Sequence, residues 1–496
     1  MPPLHLSTIL ASAPSTLLSQ ITRLGSKYGG KGHTVLFTLS NNFAHADDLQ
    51  TVVNELTTFN DNSHGIIVQE GAETKAKCRT LGCLVDSFSS VKFLGSPTGN
   101  VSGNRDVLSC SIGVFESNFC VPFHSELLGR TEPQVGRWHA FRNKGSLTTS
   151  SSESKGDSSA TTWEPDWGRM DIKQNSGDNA GEVDWEDIWS RSTSNTSSSS
   201  TSELLPDALR GIDPAHIQTV FTLSSPHPDT LTHVLSESLP ESSALTLIAS
   251  PTHFTTGRGV TLFLDGHIYG EGAIGLALLN DGTSNDAPSW RTEFLGVKTL
   301  SGPMTITSRE GNMVNELNGS NPTKLLIAAL GTTGTSPSSQ LANASPTTPH
   351  FKDEEQFALG VISSDGQWSS TYKITAGDPS SRGGSLSLDA PSAPEVGSVV
   401  QFLRFSSTQA LEIPPSFNTS SPEHNDTIPR KKLAVLTVPE PSESSVPDSH
   451  SLRILADTFL VPSTKGFIFS PGNTSTYKPS TWTCSLPGGS VIFEWK

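Results

Sequence analysis

Gly270-Glu271-Gly272-Ala273-Ile274-Gly275 carries the spacing G-x-G-x-x-G directly after an apolar run. In dinucleotide folds such glycines let the backbone approach a pyrophosphate at a helix N-terminus. Here only Leu276 to Leu279 precede the Asn280-Asp281-Gly282 turn, too few residues for the required crossover helix. Asp265-Gly266 has hairpin-turn composition. Gly272 to Leu278 therefore reads as a returning strand whose small residues admit close packing. Zinc chemistry fares no better. Cys78, Cys83, Cys110, Cys120, His124 and His139 lie within about sixty residues, and their types suit zinc. Yet Cys78 and Cys83 stand too far apart for a Cys-x-x-Cys pair, and no metal site is expected. Gly-x-Ser-x-Gly, phosphate-loop and His-Glu-x-x-His patterns do not occur.

Weaker candidates remain. Cys83 is a candidate reactive thiol, because Lys75, Lys77 and Arg79 would lower its pKa if they converge on it; the alternative is a buried turn cysteine. Ser250 to Arg258 is a polar loop between two strong strands. It offers His253, Thr255, Thr256 and Arg258 as ligand-binding groups, the arginine as a carboxylate clamp. Asn312 and Glu316 either close a turn or line an interface between two halves of the chain.

The elements that would position these groups alternate. Leu17, Leu18, Ile21 and Leu24 recur at helical spacing, and Thr34 to Leu39 is an apolar run that reads as a buried strand. Asp47-Asp48 followed by Leu49, Val52, Val53 and Leu56 predicts an amphipathic helix with acids in its first turn. Strands are predicted at 65–69, 107–114, 244–249, 260–264, 357–362, 371–375, 399–405, 433–437, 466–469 and 491–493. Asp229 is read as the cap of a helix through Leu231, Val234, Leu235 and Leu239. Asn321 is read as the cap of another, with Pro322 at its first position. The β-α-β order indicates a layered α/β domain.

Composition sets outer limits. Of 496 residues, 34% are hydrophobic and 17% charged, consistent with much Ser/Thr/Pro/Gly-rich loop. A net charge of −16 repels phosphate, so neither nucleic acid nor anionic membrane is an expected partner. Absence of an 18-residue apolar run argues against membrane insertion. Five scattered cysteines suit a reducing compartment, and an intracellular, cytoplasmic setting is expected. The acid-free start with Arg23, Lys27 and Lys31 keeps a mitochondrial presequence as the alternative to a folded first helix. Residues 143–203 are Ser/Thr-rich and acidic, and are predicted to be disordered. Within them Trp163, Trp167, Trp185 and Trp189 stand among eight acids, a pattern of segments that dock on a partner or on the folded body.

One resemblance spans most of the chain. Gly272-Ala273-Ile274-Gly275, then Gly302, Pro303, Thr307, Gly311, Asn312, Glu316, Leu317, Asn318 and Gly319, resemble the junction of the two halves of the FIST family (F-box and intracellular signal transduction proteins). Leu81-Gly82-Cys83 resembles a Gly-Cys turn of its N-terminal half. The resemblance implies an α/β (α+β) protein with two related halves of mixed β-sheets flanked by helices. It assigns 1–142 and 204–299 to the N-terminal domain, 143–203 to an insertion and 300–496 to the C-terminal domain. It implies non-catalytic sensing of a small ligand, or protein recognition, in intracellular signalling. Eukaryotic relatives carry an F-box and act in ubiquitination; no Leu/Pro-rich F-box helix set precedes the first strand here. Some bacterial relatives bind haem, for which His253 would be the candidate ligand. An unrecognised enzyme with a pocket between the halves is the remaining alternative. The sequence names no cofactor and fixes no oligomeric state.

Overall fold

The computed structural model describes residues 2–59, 78–93, 107–127, 204–280, 288–333, 355–363, 366–377, 384–390, 392–406, 411–413, 430–440, 452–472 and 481–495. The predicted strand at 65–69 and the insertion 143–203 with its four tryptophans lie outside them.

The chain opens with β1 (His5–Ala11), α1 (Pro14–Tyr28), β2 (His33–Ser40), α2 (Ala46–Thr57), β3 (Arg79–Val85), β4 (Val91–Phe93) and β5 (Leu108–Glu116). α1 starts on Pro14, whose fixed φ suits a first helical position, and buries Leu17 and Ile21. α2 has Asp47 and Asp48 in its first turn and buries Leu49, Val52, Val53 and Leu56, the stripe its spacing predicts. β2 and β3 run parallel, and β5 is antiparallel between β2 and β1.

The next stretch repeats this plan. β6 (Cys120–Ser125), α3 (Asp207–Arg210), β7 (Ile217–Ser224), α4 (Asp229–Ser238), β8 (Ser243–Ile248), α5 (His253–Thr256), β9 (Leu262–Leu264), β10 (His267–Tyr269) and β11 (Ala273–Leu279) follow. Their sheet contains the order β8-β7-β11-β6, which matches β3-β2-β5-β1 strand for strand, with β7 and β8 parallel. Asp229 occupies the first turn of α4 without a side-chain cap, so there it acts through the helix dipole alone.

After β12 (Ser289–Phe294) the chain builds a different body. β13 (Lys298–Thr299), β14 (Met304–Glu310), β15 (Met313–Leu317), α6 (Pro322–Thr333), β16 (Glu355–Ile362), β17 (Trp368–Gly377), β18 (Leu386–Leu388) and β19 (Val399–Ser406) come in turn. β19 pairs with β16 along one edge and with β13 and β14 along the other, closing β14-β15-β18-β17-β16-β19 into an antiparallel barrel. Ile306, Val314, Leu317, Leu359, Leu386 and Phe402 are fully buried in it. Asn321 caps α6 as expected, its Oδ1 accepting from the Lys324 N–H at 3.0 Å.

β20 (Leu411–Ile413), β21 (Lys431–Thr437), β22 (Arg453–Ala456), β23 (Thr458–Ser463), β24 (Phe467–Ser470), β25 (Trp482–Cys484) and β26 (Gly489–Trp495) complete the fold. A third sheet, β23-β21-β26-β12, has the same order again, with β21 and β23 parallel. Mixed α/β architecture is thus what the chain adopts, and its repetition runs through three sheets. The connection from first to second strand differs each time: it is α1 in the first sheet, residues 126–216 in the second and the barrel in the third.

Sheet edges tie the three together. The β9-β10 hairpin extends the first sheet from β3, and β24-β25 extends the second from β8. The corresponding edge of β23 is closed by side chains instead. Thr8 Oγ1 donates to the Thr458 carbonyl and accepts from the Leu460 N–H, both at 2.8 Å. Ser111 Oγ donates to the Leu460 carbonyl at 2.6 Å. Both hydroxyls are buried, and there they satisfy backbone groups that would otherwise be orphaned. Among the described residues no helix is long and apolar enough to cross a membrane.

His5 begins β1 within 2.9 Å of Ser7 Oγ and stacks on Tyr28. Burial, then Lys27 and Lys431, push its pKa down to about 4 from 6.5. The fold therefore holds His5 neutral while the unfolded chain takes up a proton, so stability is full above pH 6.5 and falls as pH drops toward 4. His5→Gln should flatten that slope by about 2 kcal/mol at its acid end, allowing for the solvent that still reaches the ring. Urea midpoints of both proteins between those pH values measure it.

Candidate functional site

The polar loop lies at the carboxyl ends of β7 and β8, the edge of an α/β sheet where ligand groups collect. α5 is one turn, stopped by Gly257 at φ 73°. It is pinned from below by hydroxyls. Thr261 Oγ1 lies 2.7 Å from Thr252 Oγ1 and 2.8 Å from Thr256 Oγ1, and Thr252 Oγ1 donates to the Arg258 carbonyl at 3.2 Å. Thr256 thus holds the turn, and Thr255 is half-buried beside it. His253, Phe254 and Arg258 project from this base into solvent, Phe254 completely.

The glycine motif faces the same turn. Gly270 lies under the aliphatic stem of Arg258, where a Cβ would sit 3.4 Å from it. Gly272 adopts φ 93°, and its N–H donates to Ser225 Oγ at 3.2 Å while the Ser225 N–H donates to the Gly272 carbonyl at 2.9 Å. His124 stacks on Tyr269 at 4.2 Å. These glycines carry the chain from β10 in the first sheet to β11 in the second. β11 begins where a dinucleotide fold would need a helix. The Asp265-Gly266 turn is present, both residues at positive φ, but the strand returning through it is β10. Asp265 also anchors the hairpin: its carboxylate accepts from Arg79 Nε at 2.9 Å and from the Thr80 N–H at 3.1 Å.

Asn312 and Glu316 are placed on the barrel, in the β14-β15 hairpin. Asn312 Nδ2 donates to the Leu388 carbonyl at 3.0 Å, and Glu316 Oε2 accepts from Thr307 Oγ1 at 3.3 Å. Thr307 Oγ1 in turn accepts from the Gly319 N–H at 3.0 Å. Asn318 at φ 51° and Gly319 at φ 69° form the left-handed turn, and Asn318 Oδ1 accepts from the Thr305 N–H at 2.8 Å. The junction residues thus close turns and lock strands. His253, Thr255, Thr256 and Arg258 share one turn; Asn312 and Glu316 find these partners within the barrel.

Cys83 lies in β3 and is fully buried. Burial, and then the Asp86 carboxylate, push its thiol pKa far up, the opposite of activation. Arg79, the cation nearest in sequence, is bound to Asp265 at 2.8 Å. All five cysteines are buried. The native protein should react with none of a thiol reagent such as iodoacetamide over minutes and fully after unfolding; rapid native labelling at Cys83 would contradict this.

Where the three sheets meet, Leu36, Phe115, Phe221, Leu276, Leu433 and Phe493 line an apolar cavity of about 10 Å³, together with Thr219, Leu278 and Trp495. It is the size of one water and far below the several hundred cubic ångströms that a small-molecule site occupies. Thr219 Oγ1 is buried without a hydrogen-bond partner. Thr219→Val should therefore raise stability by about 1 kcal/mol, as read from the urea midpoint.

Comparison with protein-family models, with curated proteins and with solved structures returns no match.

Proposed function

We propose that this chain is a non-catalytic recognition module of FIST type, engaging a small ligand or a protein in intracellular signalling through the rim from His253 to Gly272. The observation that carries the reading is Phe254. A fully exposed aromatic ring is costly to leave in water, and here it stands on a turn held rigid by three threonine hydroxyls. Arg258 and His253 flank it, so the rim presents an apolar anchor beside a guanidinium and an imidazole, the composition of an interaction hot spot. The hydroxyls that could act as nucleophiles at this turn, Thr252, Thr256 and Thr261, bond to one another rather than to a base. The resemblance of the junction residues to FIST proteins supports the same reading.

The test is native mass spectrometry of the full chain, purified gently from cells of its own type, beside a Phe254→Asp/Arg258→Glu variant. A bound species on the wild type, depleted at least about tenfold on the variant, is expected from the loss of a hot spot worth about 1.4 kcal/mol or more. Equal occupancy on both proteins, or none on either, would remove the rim from consideration.

A further inference from the structure

Lys432 in β21 stands directly across from Glu494 in β26, its Nζ 3.9 Å from Oε1. Arg430 Nη1 lies 3.7 Å from the other oxygen of the same carboxylate. Arg291 in β12 bonds Glu494 too, and holds Glu293 at 2.8 Å. Three cations thus face two carboxylates, one positive charge in excess on a chain whose net charge is −16. Ala434 and Ile492, both fully buried, share the sheet face of Lys432 and Glu494, so the charged end borders an apolar floor.

The Lys432 side chain is 12% exposed, and burial is the main reason that its amine titrates below the ordinary lysine value. Glu494 opposes the shift, Arg291 adds to it, Glu293 opposes it and Arg430 adds to it. A lysine of this kind presents its lone pair more readily near neutral pH and is the usual amine of imine chemistry. Arg430 supplies the second function. Its contact with Glu494 is too long for a hydrogen bond and its side chain is 56% exposed, so its planar N–H fork can take the carboxylate of a ligand. We propose that Lys432 is the amine of a carbonyl-binding site, on which a small oxo acid condenses as an imine with its carboxylate on Arg430. In that step the Nζ lone pair attacks the carbonyl carbon, the carbinolamine loses water, and a C=N bond replaces C=O. Glu494, which faces Nζ, carries the proton from the nitrogen to the departing hydroxyl. The site is separate from the rim of His253 to Gly272 and does not depend on it.

Glyoxylate with cyanoborohydride tests this on the full chain at neutral pH. The hydride fixes each imine as a carboxymethyl amine, which peptide mass spectrometry locates. Labelling of Lys432 is expected to exceed that of the exposed Lys27, Lys31 and Lys324 at least about tenfold, the worth of one charge-assisted hydrogen bond. Arg430→Gln, a change at an exposed side chain, should remove most of that excess. Acetaldehyde, which offers the carbonyl without the carboxylate, should show no preference for Lys432. Lys432 labelled no faster than the exposed lysines would overturn the proposal. So would a preference that acetaldehyde shares or that survives in Arg430→Gln, since the amine would then be reactive without an anion site.

Discussion

Gly82→Ala is expected to cost about 3 kcal/mol or more and to leave the chain largely insoluble on expression. A Cβ at this position would sit 2.4 Å from the Phe37 carbonyl oxygen and 2.6 Å from the Phe37 ring. Neither can move aside. The carbonyl belongs to the β2-β3 ladder, and Phe37 is fully buried in the cluster beneath α1 and α2. Gly25→Ala supplies the contrast. Gly25 is inside α1, and a Cβ there would meet only the Phe59 ring at 3.9 Å, an ordinary contact. That change should stabilise by about 0.5–1 kcal/mol through helix propensity and a less free unfolded chain. Urea unfolding of the two variants should give opposite signs; a neutral Gly82→Ala would mean that the first sheet tolerates a spread between its parallel strands.

The second large effect is Glu494→Leu. Glu494 in β26 bonds Arg291 and lies 3.7 Å from Arg430 Nη1 and 3.9 Å from Lys432 Nζ. Its side chain is 11% exposed and that of Lys432 is 12% exposed. Burial already pushes the Lys432 pKa down, and Glu494 is the chief group opposing it. Removing the carboxylate leaves Lys432 charged in a poorly solvated site, while Arg291 keeps Glu293 at 2.8 Å. The expected cost is about 3–5 kcal/mol at pH 7. Because the folded Lys432 pKa then lies still further below its unfolded value, the variant should recover stability as pH rises between the two. Glu494→Leu/Lys432→Met should regain most of the loss, and a double-mutant cycle in urea measures the coupling. If the single variant lost less than about 1 kcal/mol, water would be screening the cluster.

Much of this fold is legible in the sequence where a single element decides its own burial. The Leu49-Val52-Val53-Leu56 stripe of α2 and the apolar runs of β2, β5, β8 and β19 are local signals, and the structure places them as read. β1 and β7 were not anticipated. For β7 a signal existed: Thr219-Val220-Phe221-Thr222-Leu223-Ser224 nearly repeats Thr34 to Ser40, and such self-similarity marks a duplicated unit. The third unit differs in sequence and shows no flanking helix among the described residues, so only strand order discloses it. Barrel closure is not a local property either, since it depends on β19 pairing on both edges with strands distant in the chain. At the rim, the types and spacing of His253, Thr256 and Arg258 were readable. Which threonine would pin the turn, and that Phe254 would stand free, depend on Thr261 and on the glycines of the next connection.

The edge of β23 closed by Thr8 and Ser111 has a consequence for how the protein is made. The bond from Thr8 to Thr458 joins residues 450 positions apart. At about 5–20 residues per second, the ribosome delivers Thr458 roughly 20 to 90 s after Thr8. Until then the nascent first sheet lacks the β22 partner of β1, and two buried hydroxyls lack the backbone they will serve. The chain emerging from the ribosome thus carries an unpaired strand edge through most of its synthesis, the kind of surface that makes partly folded chains prone to aggregate, and one side of its oldest sheet stays unfinished until its last elements arrive.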